Sequence, residues 1–218
     1  MNIHSLHHYL TNLSESEEHY RSGYPFSGWS QLPKVQIHGR EMYRMFPDNL
    51  IFSSMHGENP VSSQNFDIPV GLQDISIKRN SRFNPVPEHV HSHIEINYVY
   101  SGTCPQYIDG KPVLLKKDQV LLIDTDCPHS IDALGENDIM ISMLIRKEFL
   151  RDRMFSQFSK DSVLSRFFVN ALTEQTDHDH YLLFHSEKDR RIPLFFSELF
   201  CEFLDPSVNS GDIIFHLF

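Results

Sequence analysis

The stretch PEHVHSHIEINYVYSG, residues 87–102, combines closely spaced histidines with a β-branched and aromatic run that stops at a glycine. Successive side chains of an extended strand point to opposite faces, so the polar residues share one face and the isoleucines and tyrosines share the other. Such a strand is typical of a small barrel with a polar interior, or of an edge strand whose polar side is exposed to solvent. The polar face contains His89, His91, His93, Glu95 and Asn97.

Short runs rich in Val, Ile, Leu and Tyr surround this stretch, with turn signals between them at intervals of about eight to twelve residues. This texture predicts an antiparallel sandwich or barrel. Asp109-Gly110 predicts a type I′ hairpin, because that turn needs positive φ at both central positions. Gly135 with Asn137 predicts a second turn. The predicted strands are residues 70–79, 94–102, 104–110, 112–117, 119–124, 129–134 and 138–146.

The first 68 residues contain one helical signal followed by irregular sequence. Turn formers accumulate between Arg21 and Asp67, which predicts irregular structure with one or two strands. Before them, apolar residues at three- and four-residue spacing predict one short helix within residues 1–20. Its apolar stripe consists of Ile3, Leu6, Leu10 and Leu13.

Helical periodicity returns after Arg146 and forms three successive apolar faces. The third, from Ile192 to Phe203, is wide and aromatic, so it suits contact with a second copy of the chain as well as packing within one chain. Residues 210–218 begin a further helix with Ser210 as its N-cap. A helix that short is marginal alone, so we expect the chain to be the front part of a longer protein.

Composition excludes several functions. The chain has 218 residues, 40% of them hydrophobic, enough for one sizeable core. Its formal charge of -10 argues against direct contact with a phosphate backbone. No segment has the run of about 18 apolar residues that a membrane span needs. The sequence also shows no signal peptide and no cysteine pairing pattern. Together these features predict a cytoplasmic protein. Nucleophile-elbow, P-loop and dinucleotide-binding motifs are absent.

Two segments about thirty residues apart together resemble the paired motifs of the cupin barrels. The pattern HxHxxxExxxxxxG over residues 89–102 is similar to the first cupin motif. The pattern DxxxxxDxDxxH over residues 118–129 has the spacing of the second.

The second motif departs from the cupin pattern in residue type. Cupins have glycine, proline and glycine where this chain has Asp118, Asp124 and Asp126. The glycine that begins the first motif is replaced by Phe83. The match is therefore good in the first motif and weaker in the second.

Within the cupins, residues 69–218 look most like the amino-terminal effector domain of AraC-type transcriptional regulators. The resemblance implies a mainly β fold with some α: a cupin-like antiparallel β-barrel (double-stranded β-helix) followed by C-terminal helices. It also implies three regions. These are an N-terminal helix, arm and irregular segment (1–68), the barrel sensor (69–146) and a helical dimerisation and linker region (147–218).

The resemblance further implies a non-enzymatic sensor. Such a domain would bind a small polar metabolite, for example a sugar, and form a homodimer through its C-terminal helices. DNA contact would belong to a domain missing from this chain. Arg82 is a candidate partner for an anionic group, and His93 is pocket lining or surface. The predicted ligand-binding residues are Arg82, His89, His91, His93, Glu95 and His129.

Metal-holding cupins bind Mn, Fe, Ni or Zn at positions that correspond here to His89, His91, Glu95 and His129. Three imidazoles and a carboxylate suit a borderline divalent ion, and Cys127 shares strand parity with His129. We favour hydrogen bonding of these groups to a polar effector, with metal binding as the alternative. A stand-alone metal-dependent dioxygenase or isomerase is the alternative function. Because an ordinary imidazole has a pKa near 6.5, we expect ligand binding to be lost below about pH 6.

Overall fold

The computed structural model describes residues 1–45, 74–154, 162–173 and 179–217. Within these ranges the helices are α1 (Ile3–Thr11), α2 (Glu15–Arg21), α3 (Val163–Thr173), α4 (Arg191–Leu204) and α5 (Ser210–Leu217). The strands are β1 (Lys34–Ile37), β2 (Arg40–Arg44), β3 (Ile75–Arg79), β4 (Val86–Val90), β5 (Ile94–Ser101), β6 (Thr103–Ile108), β7 (Lys111–Lys116), β8 (Val120–Ile123), β9 (His129–Ile131), β10 (Ile139–Ile145) and β11 (Tyr181–Phe184). Shorter helical turns occupy Gly28–Gln31, Lys147–Phe149 and Leu150–Met154.

The strands that the structure describes form two sheets. The first has the order β1-β2-β4-β9-β6-β7 and the second β11-β8-β5-β10-β3. Neighbouring strands are antiparallel, except that β2 and β4 run parallel. The predicted fold class, mainly antiparallel β with C-terminal helices, is confirmed.

The predicted strands are confirmed. All seven are present, as β3 and β5 to β10, although residues 70–73 lie outside the described ranges. Asp109 and Gly110 connect β6 to β7 with φ of 48° and 75°, as a type I′ turn requires. β1 and β2 are the one or two strands expected in the irregular region. β11 was not predicted, because its four residues carry no periodicity by themselves; it extends the second sheet by pairing with β8.

The histidine stretch is not one strand. β4 ends at Val90 in the first sheet and β5 begins at Ile94 in the second, so residues 91–93 form the corner between the sheets. The interpretation as a single extended strand was therefore wrong. The predicted alternation of faces nevertheless holds in β5, where the Tyr98 side is covered by helices and the Glu95 side faces the first sheet.

The apolar core has two parts, one on each face of the second sheet. The part between the sheets contains Val99, Cys104, Ile108, Val113, Leu115, Leu121, Ile123, Cys127, Ile131, Leu134 and Met140. The part on the outer face joins β3, β5, β8 and β10 to α1, α3, α4 and α5. There the Tyr98 ring stacks on Phe196 of α4 with a centroid distance of 4.3 Å.

The N-terminal helix predicted within residues 1–20 is in fact two helices. Leu6 and Leu10 are buried as expected, but the chain breaks after α1. Ser14 caps α2 and forms a reciprocal capping box with Glu17, which provides a second helix start. The apolar period alone did not reveal this break.

The C-terminal helical periodicity is confirmed by α3, α4 and α5. Phe155, Phe158 and most of the polar break before β11 lie outside the described residues. The aromatic face of α4 buries Phe196, Leu199 and Phe200 within the same chain, so intrachain packing explains those residues. The boundaries of the three predicted regions stay predictions. Among the described helices, none has the length and apolar character needed to cross a bilayer.

Candidate functional site

Four of the predicted site residues meet where the two sheets join. β4 supplies His89, the corner supplies His91, β5 supplies Glu95 and β9 supplies His129. His89 and His129 are direct partners in the antiparallel pairing of β4 with β9. The His129 ring centroid lies 4.1 Å from that of His89 and 5.0 Å from that of His91.

All four residues are at most 3% exposed. One ligand atom from each lies within 4.8 Å of the others, which makes the group capable of holding a metal ion. The prediction that two distant histidine segments converge is therefore correct in geometry.

Backbone carbonyls fix the orientation of the three imidazoles. Nδ1 of His89 lies 2.9 Å from the Pro87 oxygen, and Nδ1 of His129 lies 2.8 Å from the Cys127 oxygen. Nδ1 of His91 lies 3.1 Å from the carbonyl of His93. A carbonyl only accepts, so each Nδ1 must carry the proton and donate it. Each Nε2 is then the free metal-ligating atom, the outer-shell arrangement that is usual for metal-bound histidine.

The contacts of Glu95 with two imidazoles need more protons than these groups carry. Its Oε2 lies 2.9 Å from Nε2 of His91 and 3.1 Å from Nε2 of His129. If the rings are neutral, both Nε2 lone pairs face the same carboxylate oxygen. A single proton on the carboxyl would satisfy only one of the two contacts. A divalent cation among these atoms would satisfy all of them, so the donor set fits a metal.

The surroundings of these residues favour the protonation states that bind a cation. Burial, together with the neighbouring imidazoles of His129 and His91, holds the pKa of His89 well below its ordinary value. Burial also lowers the pKa of His91. For Glu95, burial alone would raise the pKa, but the close contacts with His129 and His91 outweigh it and the pKa lies well below its ordinary value.

Two further candidates lie beside the centre without belonging to its four ligating residues. His93 is buried, so it does not lie on the surface, and its ring lies edge-on to His91 with a centroid distance of 6.4 Å. Cys127 is buried as well, and burial raises the pKa of its thiol to about 12. That thiol is not among the four converging ligand atoms.

Arg82 is not brought to the centre. Its side chain is 2% exposed and donates from Nε to Glu17 over 2.9 Å. The remaining guanidinium donors contact the backbone carbonyls of Thr11, Asn12 and Glu136. The guanidinium is therefore used to attach the N-terminal helices to the barrel and is not available to an anionic effector.

The sequence did not indicate the aromatic residues beside His89. The Trp29 ring lies 6.4 Å from the His89 ring and 5.9 Å from the Tyr43 ring, centroid to centroid. Tyr43 reaches this position because it pairs with His89 in the parallel ladder of β2 and β4. Both aromatics come from a region without periodicity, so no sequence signal linked them to the histidines.

The model of the AraC-like ligand binding domain matches residues 78–200, which is more than half of the chain. The chain belongs to this family. The matched region contains the complete histidine centre of this AraC-like domain, the second sheet from Lys78 onward and most of α4. A search of curated proteins returned no match.

Solved structures with similarity to this AraC-like domain include regulators and cupins. An apo ToxT variant from Vibrio cholerae is 13% identical with a TM-score of 0.46, and the alignment covers 66% of this chain and 52% of ToxT. The chain thus spans about half the length of ToxT. A cupin 2 conserved barrel domain protein from Leptotrichia buccalis is 25% identical with a TM-score of 0.30, over 33% of this chain and 35% of that one. The DMSP lyase DddQ from Ruegeria pomeroyi is 15% identical with a TM-score of 0.29, over 33% and 36%.

The backbone explains the unusual residue types in the two motifs of this AraC-like domain. Phe83, Asp118 and Asp126 stand where the cupin pattern has glycine, and all three have positive φ, of 63°, 66° and 54°. The conformation that normally requires glycine is therefore kept although the residues differ. At Asp126 it directs the backbone N–H to the carbonyl of His91 over 2.8 Å, which joins the second motif to the first.

Proposed function

We propose that this chain is the effector-sensing region of an AraC-type transcriptional regulator. Its barrel binds a small polar effector, for example a sugar or a related polyol, at the histidine centre. The observation that carries the proposal is the convergence of His89, His91, Glu95 and His129 at the junction of the two sheets in a domain of a ligand-binding family. The free Nε2 atoms and the carboxylate of Glu95 supply acceptors for the hydroxyl groups of a polyol.

We also propose that the centre holds a divalent cation such as Zn, Fe, Mn or Ni. The support is the proton shortage at Glu95, which a cation would remove. A bound cation would supply a positive site for an oxygen atom of the effector. The residues of the chain itself then exclude water, and the three carbonyls hold the imidazoles in position.

Metal analysis tests this part of the proposal. Protein purified without an affinity tag should contain about one equivalent of metal per chain, and a chelator should lower its melting temperature until metal is restored. Metal-free protein whose melting temperature is indifferent to every one of these ions would contradict the cation and leave direct hydrogen bonding to the effector.

A thermal-shift screen of sugars, polyols and organic acids tests the sensor. At least one compound should raise the melting temperature of the wild-type chain and lose this effect in the His91→Ala variant. The Ala variant of the exposed His4 is the matched control, because it removes an imidazole far from the barrel interior. A complete absence of shifts would favour a scaffold with a vestigial pocket.

The proposal of a regulator also includes its assembly. We expect a homodimer formed through the C-terminal helices, with DNA contact by a segment outside these 218 residues and action in the cytoplasm. An effector that prefers one arrangement of the dimer shifts it by no more than the difference in its affinity for the two arrangements. Sedimentation of the chain with and without the effector measures both the dimer and this shift.

A metal-dependent cupin enzyme is the second candidate, because three imidazoles and a carboxylate also suit a catalytic metal with an open position. The two functions predict different fates for the bound compound. A sensor returns it unchanged, whereas an enzyme converts it catalytically. Following each compound that shifts the melting temperature by NMR, with metal and air present, distinguishes the two.

A further inference from the structure

The inner wall of the second sheet carries polar side chains that the histidine centre does not use. The register of β3, β10 and β5 places Lys78 and Asn97 on either side of Ser142. All three lie in the alternation that faces the first sheet, because the residues between them belong to the helix-covered core. They form one polar row across three neighbouring strands.

A chain of hydrogen bonds fixes the amide of Asn97. Asn80 Nδ2 donates to Ser142 Oγ over 2.7 Å, and the Ser142 hydroxyl donates to Asn97 Oδ1. The oxygen of this amide is therefore used, and its NH2 group must point elsewhere. Asn97 is 0% exposed, and its Nδ2 has no hydrogen-bond partner among the described residues. A buried donor without an acceptor is costly, so it marks a place for a missing acceptor.

Lys78 supplies a second donor in the same row, and a positive charge. Lys78 is half-buried and lies on β3, an edge strand of the second sheet. Burial lowers its pKa, and the charge of Glu95 partly opposes that shift. The charge of Lys78 is a minor cause of the low pKa of His91, after burial and His129. The register by itself places Lys78 beside Ser142 on the wall that faces the first sheet.

The facing sheet supplies an acceptor. Gln106 of β6 is 1% exposed, and its Nε2 donates to the Met140 sulfur over 3.0 Å and to the Cys104 sulfur over 3.4 Å. Its Oε1 has no partner among the described residues. Met140 and Ser142 lie two residues apart on the same face of β10, so this acceptor faces the same interior as the row.

We propose that Lys78, Asn97 and Gln106 form a subsite of the effector pocket that selects a small hydroxy acid, such as a sugar acid. The Lys78 ammonium and the Asn97 amide donate to the carboxylate of the effector, and Gln106 accepts from one of its hydroxyls. This inference rests on the proposed function, because it concerns the same effector pocket. It narrows the effector from polar compounds in general to acids.

Matched pairs of probes test the subsite by calorimetric titration of the 218-residue chain. D-Gluconate is compared with D-glucitol, and D-glycerate with glycerol, because the members of each pair differ only by a carboxylate in place of a hydroxymethyl group. The wild type should bind the acid about 10- to 100-fold more tightly than its polyol, the gain of a charge-assisted hydrogen bond. Lys78→Met should remove this preference, and Lys78→Arg should keep much of it.

Asn97→Asp provides an independent variant. It preserves the acceptor for Ser142 but removes the amide donor and adds a negative charge, so it should reject the acids while leaving polyol binding near its original strength. Lys116→Met is the control, since it removes a charge from an exposed position of β7 and should change nothing. If Asn97→Asp does not fold, the Lys78 variants decide alone.

The outcomes separate the subsite from the sensor. Equal affinity of the wild type for acid and polyol overturns the subsite and leaves the proposed sensor intact. A water molecule between the amides of Asn97 and Gln106 would give this result. Acid binding that survives Lys78→Met has the same meaning for the two proposals. No binding of either member of either pair counts against both the subsite and a polyol-type effector. Acid-selective binding that depends on Lys78 supports both.

Discussion

His89 and His129 are forty residues apart in sequence, yet they are direct partners across β4 and β9, with ring centroids 4.1 Å apart. The pairing places one imidazole from each motif on the same side of the first sheet. Glu95 then reaches them from the second sheet, so the centre exists only when both sheets are folded together. Metal binding should therefore stabilise the folded chain.

The first prediction concerns this linkage. Because a metal that binds only the native state stabilises it, Zn or Mn at 100 times its Kd should raise the free energy of unfolding of wild-type protein by about 2.7 kcal/mol. His129→Ala should abolish the increase, whereas His4→Ala should retain it because His4 is exposed on α1. Urea denaturation with and without metal measures the effect. Equal stabilisation of the His129→Ala protein would show that the metal binds elsewhere.

The sequence predicted this centre better than it predicted its surroundings. The spacing of His89, His91 and Glu95 is local information, and parity placed the polar side chains together on one face of a strand, without deciding whether that face points inward. The corner at residues 91–93 was missed, because histidines at alternate positions run through it without a glycine or proline to mark a turn. The positions of Trp29 and Arg82 depend on long-range packing, which no periodicity records.

The second prediction concerns the positive φ of Phe83. A left-handed conformation costs a residue with a Cβ atom about 1 kcal/mol or more, a cost that glycine avoids. We therefore expect Phe83→Gly to be more stable than Phe83→Ala by about 1 kcal/mol, because both variants lose the ring and differ only in the Cβ. Phe184 in β11 gives the matched control. There the order should reverse, since glycine weakens an extended strand by about 0.5–1 kcal/mol relative to alanine. Chemical denaturation of the four variants measures both differences.

The third prediction concerns Glu17, which attaches α2 to the barrel. Its carboxylate accepts from Arg82 Nε over 2.9 Å and from Arg79 Nη2 over 2.8 Å, and all three side chains are largely buried. Removing one member of a buried ionic group leaves uncompensated charge, so Glu17→Ala should cost about 3–5 kcal/mol of unfolding free energy. Glu18→Ala removes a half-exposed partner of Arg21 and should cost about 1 kcal/mol or less. Similar losses in the two variants would mean that the buried group contributes little.

The fourth prediction is the pH dependence of the same interaction. Burial alone would raise the pKa of Glu17, but hydrogen bonds from Arg82 and Ser14 and the charge of Arg79 place it below the ordinary 4.5. A carboxyl with a lowered folded-state pKa stabilises the protein above its unfolded-state pKa, and this contribution is lost as the pH falls through the folded-state value. The stability difference between wild type and Glu17→Gln should therefore be constant from pH 7 to about pH 5 and shrink below about pH 4.5. A difference that grows on acidification would reverse the assigned direction.

The pH below which effector binding is lost should also depend on shifted pKa values, and it should be lower than the sequence alone suggests. The low pKa values of His89 and His91, caused first by burial, keep these rings neutral further into acid than an ordinary imidazole. Effector binding should accordingly persist at pH 6 and be lost only at lower pH, so the limit expected from the sequence has to be lowered. Titrations of the effector between pH 7 and pH 4 measure where the affinity falls.

The last prediction separates the two roles considered for α4. Phe196 stacks on Tyr98 and is 5% exposed, so Phe196→Ala should leave a cavity and cost about 3–5 kcal/mol of unfolding free energy. Leu194 lies on the same helix but is 57% exposed, and Leu194→Ala should leave the stability of the single chain nearly unchanged. If α4 also forms the homodimer contact, Leu194→Ala should weaken the dimer in sedimentation experiments without affecting effector binding. Tyr98 and Asn97 are neighbours in β5 and point to opposite faces of the sheet. This strand therefore contacts α4 on one face and contributes to the inner wall on the other. A dimer of unchanged strength in the Leu194→Ala protein would move the interface away from this part of α4.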